Sequence, residues 1–265
     1  MLVYITNINR FENQALLMYN TLHIKILFKT EVILMDSQKN KTRVWELDFL
    51  RGIALILMIY FHTLYDMGEF FGYKINCFEG YNYYIGKISV ILFILISGIS
   101  STLSRSNLKR GFKLLLVALC VSVFSYLYDK NFVIKFGVIH FFASCMLLYP
   151  LIGRINKWIL PFLGTAIIAL GPFFGGLSVS NEYLFPFGVT TPNFTSSDYY
   201  SLVPWMGLFL YGIFLGKTVY SGRKSILKFQ IPKNPVNFMG KHTLLFYIIH
   251  QPIIIGVLSL IKIFI

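Results

Sequence analysis

The sequence predicts an all-α integral membrane protein, a bundle of about seven transmembrane helices. Of its 265 residues, 56% are hydrophobic and 13% are charged, whereas a soluble domain carries about 25% charged residues. Several apolar stretches are about twenty residues long, which is the length that crosses a hydrocarbon core about 30 Å thick. Helices are predicted because an open strand edge would leave backbone groups without partners in lipid.

Seven apolar segments carry this prediction. They span residues 46–66, 84–103, 111–128, 133–152, 157–176, 201–219 and 242–264. Residues 43–265 are therefore predicted to form one seven-helix domain, and residues 1–42 an N-terminal tail. The apolar run within residues 1–34 is too short and too polar to span a membrane and does not end in a signal cleavage site. We expect residues 1–34 to be an over-extended gene model or a loose tail.

Lysine and arginine are distributed unequally between the two sides of this bundle. Fifteen lie in the connections on one side and four on the other, and an excess of basic residues marks the cytoplasmic side. The fifteen are Lys39, Lys41, Arg43, Arg105, Lys109, Arg110, Lys113, Arg154, Lys157, Lys217, Arg223, Lys224, Lys228, Lys233 and Lys241; the four are Lys74, Lys130, Lys135 and Lys262. This asymmetry predicts a cytoplasmic N-terminus and an external C-terminus.

Charge and cysteine usage exclude several partners. The net charge of +13 lies mainly in these membrane loops, so we expect no nucleic acid partner. Cys77, Cys120 and Cys145 have neither a paired nor a metal-like spacing, so we expect neither a disulfide framework nor a zinc site. We also expect no other metal and no permanently bound cofactor. Because 17 Lys stand against 7 Arg, we expect a low-GC bacterium, and hence the bacterial cytoplasmic membrane.

The first segment carries the densest set of ionisable residues. Such side chains within a span face the bundle interior and mark a functional site or a structural pair. Arg51 and His62 are eleven residues apart, so they share one helix face about 16 Å apart along the axis. Asp48 can pair with Arg51 at i,i+3 spacing, and Asp66 can reach His62 at i,i+4 spacing.

This stripe suits a donor molecule that has a charged head and a reactive end. Arg51, with Asp48 beside it, would bind a phosphate-bearing head. His62 would act as a general base or as a nucleophile, and Asp66 would fix its tautomer. The structural alternative is an Asp48–Arg51 ion pair at the membrane rim and a packed His62.

Two further spans each carry a histidine, His140 in the fourth and His250 in the seventh. Together with His62, these residues could converge on one cavity. Each could instead serve packing or hydrogen bonding. A metal centre is disfavoured because no Glu or Cys lies beside them at ligand spacing.

The segment from Asp198 to Trp205 leads into the sixth span. Asp198 lies where it can cap that helix, and Trp205 is typical of an interfacial aromatic belt. Alternatively, both residues form a lip that binds the acceptor. Small residues in the second and sixth spans indicate close helix packing; they are Gly98 to Ser101, Gly207, Gly212 and Gly216.

Four motifs in order resemble a known family, the small bacterial membrane proteins related to the catalytic domain of heparan-alpha-glucosaminide N-acetyltransferase, within the transmembrane acyltransferase superfamily. The resemblance covers residues 43 to about 256. The motifs are Arg43 to Gly52 followed by His62, Phe136 to His140, Asp198 to Trp205, and Gly240 to Pro252.

The resemblance implies that acetyl-CoA in the cytosol donates an acyl group across the membrane to an external glycan or amino-sugar acceptor. It also implies that Arg51 and His62 are the key pair, and that His140 is a feature of the bacterial members. The partners expected are therefore the lipid bilayer, acyl-CoA and the acceptor; a homo-oligomer is left open. The alternatives are a small-molecule or lipid transporter, in which the same polar residues line a pathway, and a membrane subunit without chemistry.

Overall fold

The computed structural model describes residues 44–227 and 234–264. The predicted N-terminal tail and five of the basic residues used to predict the orientation lie outside this part of the chain. Those five are Lys39, Lys41, Arg43, Lys228 and Lys233.

The described residues form an all-helical structure. The α-helices are α1 (Trp45–Glu69), α2 (Gly80–Leu103), α3 (Asn107–Tyr128), α4 (Val138–Ile152), α5 (Ile159–Ala169), α6 (Gly171–Gly176), α7 (Leu202–Thr218), α8 (Pro235–Lys241) and α9 (Thr243–Phe264), with short 3-10 helices at Lys130–Phe132 and Glu182–Phe187. Extended pairing within the described ranges is limited to two isolated bridges, Phe136 with Tyr199 and Ser178 with Thr190. The predicted all-α class is confirmed.

Five helical segments are long and apolar enough to cross a membrane, which identifies a multi-pass membrane protein. They are Trp45–Glu69, Gly80–Leu103, Asn107–Tyr128, Ile159–Gly176 and Thr243–Phe264. The other two predicted spans form shorter apolar helices, α4 with 15 residues and α7 with 17. At 1.5 Å per residue, both are shorter than a hydrocarbon core of about 30 Å. Seven crossings and the orientation of the termini therefore stay predictions.

The chain divides into two compact units. The first comprises the described residues within Met1–Val90 and Phe229–Ile265, and the second those within Ile91–Lys228. Helix α2 contributes its first part to the first unit and its second part to the second.

In the first unit, the short helix α8 packs against the beginning of α1. A Cβ atom at Gly240 would fall on the carbonyl oxygen of Asp48, and one at Gly52 would fall on the carbonyl oxygen of Val236. The two backbones can approach this closely only because neither glycine has a side chain. Asn234 caps the N-terminus of α8, with its side chain accepting a hydrogen bond from the Asn237 N–H at 2.8 Å.

Helix α2 is also held against α1 within the first unit. The buried Ser89 hydroxyl donates a hydrogen bond to the Ala54 carbonyl at 2.8 Å, and Gly86 leaves space for the ring of Phe61. These contacts fix the middle of α1, on which the candidate site is built.

In the second unit, α7 presents glycines to two neighbouring helices. A Cβ at Gly212 would overlap the Leu95 carbonyl of α2, and a Cβ at Gly207 would press on the Gly164 carbonyl of α5. Gly98 of α2 meets the same face of α7 at the Phe209 carbonyl. The packing role predicted for these glycines is confirmed.

The C-terminal end of α4 is tied to α7 by a lysine. The Lys217 ammonium donates to the carbonyl oxygens of Gly153 at 2.8 Å and Ile155 at 2.7 Å. Both carbonyls lie in the turn that follows α4, at the negative end of the helix dipole, where a cation is favourable.

We expect Gly212→Leu to destabilise the protein by roughly 2 to 3 kcal/mol, because the new side chain must displace backbone rather than a flexible side chain. The measurement is the thermal unfolding midpoint of the purified protein in one detergent. The matched control is Gly256→Leu in α9, where nothing lies within 4 Å of the added Cβ. Equal midpoints for the two variants would contradict the assigned packing role.

Candidate functional site

The sequence-predicted ion pair at the start of α1 is present. Nη1 of Arg51 donates to Oδ1 of Asp48 at 2.6 Å, and the Asp48 side chain is 6% exposed, against 23% for Arg51. Asp48 Oδ2 is buried and accepts no hydrogen bond from any described residue. The carboxylate therefore orients the guanidinium, and the arginine side chain stays partly exposed.

Arg51 and His62 lie on the same uninterrupted helix. Both are within α1, which runs from Trp45 to Glu69. Their separation of eleven residues corresponds to about 16 Å along the axis. The helix therefore provides a cationic end and an imidazole end, as the spacing predicts.

The imidazole of His62 meets a second imidazole from α9. The ring centres of His62 and His250 are 5.0 Å apart, and their planes are inclined by 60°. This contact lies wholly within the first unit. Two of the three histidines predicted to converge are thus brought together.

The protonation of His250 follows from its own helix. Nδ1 lies 2.5 Å from the Tyr247 carbonyl oxygen, and since a carbonyl can only accept, Nδ1 carries the hydrogen. Nε2 is therefore the unprotonated nitrogen of the neutral ring. That atom is buried and has no hydrogen-bond partner among the described residues.

The prediction that Asp66 pairs with His62 is wrong in this structure. Asp66 is completely buried, and both of its carboxylate oxygens accept from the Gln251 amide nitrogen at 2.8 Å. The i,i+4 spacing on α1 permits a contact with His62, but α9 supplies a donor that lies closer to the carboxylate. Asp66 is thus a tie between α1 and α9.

Gln251 is the residue that sequence reasoning missed. It lies within the motif from Gly240 to Pro252, and a long polar amide inside an apolar helix is itself a signal, because it needs a partner in lipid. Its partner, Asp66, is 185 residues away in the sequence, so no local pattern could identify the pair.

His140 lies in the second unit, at the beginning of α4. Nδ1 accepts from the Gly137 N–H at 3.2 Å, so Nε2 carries the hydrogen and faces the Ser122 hydroxyl at 3.2 Å. Ser122 in turn donates to the Ile134 carbonyl at 2.5 Å. Both ring nitrogens are engaged locally, which matches the structural alternative for His140.

The prediction that Asp198 caps the sixth span is wrong, because this carboxylate caps α4 instead. Its Oδ2 accepts from the Val138 N–H at 2.9 Å, whereas Ser201 precedes α7 without a side-chain cap. The connection from residue 177 to residue 200 folds back along residues 133–137, with the Tyr200 N–H donating to the Phe136 carbonyl at 2.9 Å. This places the carboxylate at the N-terminus of α4, where negative charge is favoured.

Trp205 packs at the same end of α7. Its ring lies 5.2 Å from the ring of Tyr200. Burial, followed by the nearby charge of Asp198, raises the pKa of Tyr200 above its ordinary value. The Tyr200 phenol therefore stays neutral at physiological pH, so it offers a hydrogen bond rather than a base.

The part of the chain that the structure describes contains no group of three or more His, Cys, Asp or Glu side chains that could hold a metal ion. Its chemistry-bearing groups are the Arg51 guanidinium and the His62–His250 pair. An imidazole pair can move a proton or carry an acyl group, and a guanidinium can bind phosphate.

We expect Asp198→Ala to lower the stability of the protein by about 1 kcal/mol, since the Val138 N–H loses its acceptor. Asp198→Asn, which keeps an acceptor oxygen, should lower the stability by no more than about 0.3 kcal/mol. The thermal midpoints of the three proteins test this. Loss of stability in the asparagine variant equal to that in the alanine variant would argue against the cap.

The searches of curated proteins and of solved structures found no match. The family model described as heparan-alpha-glucosaminide N-acetyltransferase, catalytic, matches residues 43–252, a range that contains Arg51, His62, His140 and His250. The predicted resemblance is confirmed, and this chain belongs to the heparan-alpha-glucosaminide N-acetyltransferase catalytic family.

Proposed function

We propose that this protein is a membrane acyltransferase that moves an acetyl or other acyl group from cytosolic acyl-CoA to an extracytoplasmic glycan or amino-sugar acceptor. The observation that carries the proposal is the contact between His62, on the helix that also bears Arg51, and His250 of α9, whose ring centres are 5.0 Å apart. Membership of the family supports acetyl transfer as the reaction class.

The donor end of the site is Arg51. A guanidinium binds phosphate oxygens through two parallel N–H donors, and acyl-CoA carries phosphates on its nucleotide head. Asp48 would repel those phosphates directly, so its part is to orient the guanidinium through the 2.6 Å hydrogen bond. With the nucleotide head at Arg51, the arm of acyl-CoA that ends in the thioester would span the distance along α1 to His62.

The transfer end is His62. As a general base, it takes the proton from the acceptor hydroxyl or amine while the acceptor attacks the thioester carbon and the carbon–sulfur bond breaks. As a nucleophile, it attacks that carbon itself, releases the CoA thiolate and passes the acyl group to the acceptor in a second step. In both routes, the thiolate leaves as the thiol once it regains the proton.

The acceptor side of the proposal is the connection from residue 177 to residue 200 with the beginning of α7. Asp198 and Trp205 are the residues assigned to acceptor binding, and the ring of Trp205 packs against that of Tyr200. The rings of Phe185, Phe194 and Tyr199 pack against one another there, with neighbouring ring centres 5.0 to 5.8 Å apart. An ordered aromatic surface of this kind suits the face of a sugar ring.

The proposal includes a topology and a location. Seven crossings with a cytoplasmic N-terminus would place Arg51 near the cytosol and His62 in the outer half of the bilayer. The location is the bacterial cytoplasmic membrane, with acetyl-CoA as a donor substrate rather than a resident cofactor. The basic residues in the connections support this orientation.

We expect Asp48→Asn/Arg51→Gln to fold like the wild type but to bind acetyl-CoA at least tenfold more weakly. Arg51→Ala alone should also lose about 3 kcal/mol of stability, because it leaves the Asp48 carboxylate buried and unpaired. Calorimetric binding in nanodiscs and thermal midpoints separate the two effects. The control is Lys109→Ala, an exposed cation on the same predicted side; equal weakening in that variant would indicate a general charge effect.

We expect His62→Ala to retain acetyl-CoA binding and to lose transfer to glucosamine by about 10²- to 10⁴-fold, the range ascribed to general acid–base catalysis. The control is His242→Ala, which removes a histidine that contacts Phe238 rather than the imidazole pair. Wild-type transfer rates in His62→Ala would refute the assignment. Incubating the wild type with radiolabelled acetyl-CoA without acceptor, and then quenching it, distinguishes the two roles of His62. The protein becomes labelled if His62 is the nucleophile and stays unlabelled if it is the base.

A further inference from the structure

His250 holds a buried lone pair that its own helix cannot use. The residue is 8% exposed, and its Nδ1–H is committed to the Tyr247 carbonyl. Nε2 has no donor among the residues that the structure describes. An acceptor buried without a partner is costly, and a donor that reaches Nε2 during function would remove that cost.

The side chain positioned to supply that donor is His62. Its ring centre lies 5.0 Å from that of His250, a separation that a small ring rotation or a single bridging water converts into a nitrogen–nitrogen hydrogen bond. Since Nδ1 of His250 already carries a hydrogen, a proton delivered by His62 can go only to Nε2.

The two rings are held close together by a neighbouring hydrogen-bonded pair, Gln251 and Asp66. Gln251 comes directly after His250, and Asp66 lies one helical turn after His62. The two hydrogen bonds of 2.8 Å between Gln251 and Asp66 therefore join α9 to α1 next to the imidazole contact.

We propose that His250 is the proton acceptor for His62 during acyl transfer, and that Gln251 is a positioning residue that holds the two imidazoles together through Asp66. This inference rests on the proposed acyltransferase function. His62 receives the acceptor's proton, or is left as an acyl-imidazolium, and in both cases passes a proton to Nε2 of His250. His250 becomes an imidazolium, and the proton then moves to the departing CoA thiolate, so that the acylated acceptor and free CoA thiol are the products.

The first test needs no activity. In the full-length protein labelled with ¹⁵N-histidine in nanodiscs, the His250 ring, assigned by its loss in His250→Asn, should show a protonated Nδ1 and an unprotonated Nε2. A ring protonated at Nε2 alone would overturn the inference, because that nitrogen could then accept no proton.

The second test measures transfer of the acetyl group from acetyl-CoA to glucosamine. His250→Asn keeps a donor for the Tyr247 carbonyl but lacks Nε2, so it should bind acetyl-CoA normally and transfer about 100-fold more slowly. Added imidazole should restore transfer in His250→Ala, whereas pyrazole, which has the same size but is hardly basic, should not. A purely structural role would respond equally to both molecules, and that result would refute the proton acceptor.

The positioning role of Gln251 has its own variants. Gln251→Leu removes the tie, and it should slow transfer without altering acetyl-CoA binding, whereas Gln251→Asn should recover part of the rate if it still reaches Asp66. Wild-type transfer in both Gln251→Leu and His250→Asn would overturn the inference and leave the acyltransferase standing. A wild-type protein that neither binds acetyl-CoA nor transfers the acetyl group would overturn both.

Discussion

A polar group without a partner is expensive in hydrocarbon, and this constraint organises the first unit. Water cannot reach a group that is buried inside the protein to replace a missing hydrogen bond. The completely buried Asp66 carboxylate therefore requires a donor, and it obtains one from Gln251 on α9. Once this pair forms, His250 is carried to the ring of His62. The candidate site therefore depends on the Asp66–Gln251 pair as much as on His62 and His250 themselves.

Close backbone approach provides the second constraint, since lipid offers no hydrophobic drive between helices. In the first unit, Gly52 and Gly240 let α8 lie against α1 next to Arg51. In the second unit, the glycines of α7 do the same against α2 and α5. Helix ends are then completed by long polar side chains, as Lys217 shows at the carbonyls that follow α4.

The same residue types serve different purposes in the two units. Both ring nitrogens of His140 are hydrogen-bonded, to Gly137 and to Ser122. In His250 only Nδ1 is hydrogen-bonded, and Nε2 has no partner among the described residues. Three histidines in apolar helices are therefore not equivalent chemically, although their sequence settings are alike. What distinguishes them is the number of partners that the fold supplies to each ring.

The sequence by itself determined the fold class, the positions of the apolar helices, the family motifs and the Asp48–Arg51 pair. All of these rest on composition, length or spacing within one helix, which are local quantities. Only the tertiary structure decided that Gln251 takes Asp66 and that Asp198 caps α4, because these bonds join residues 185 and 60 positions apart. Spacing can show which partners a side chain is able to reach along its own helix, but the partner it takes depends on which donors the folded chain brings nearer.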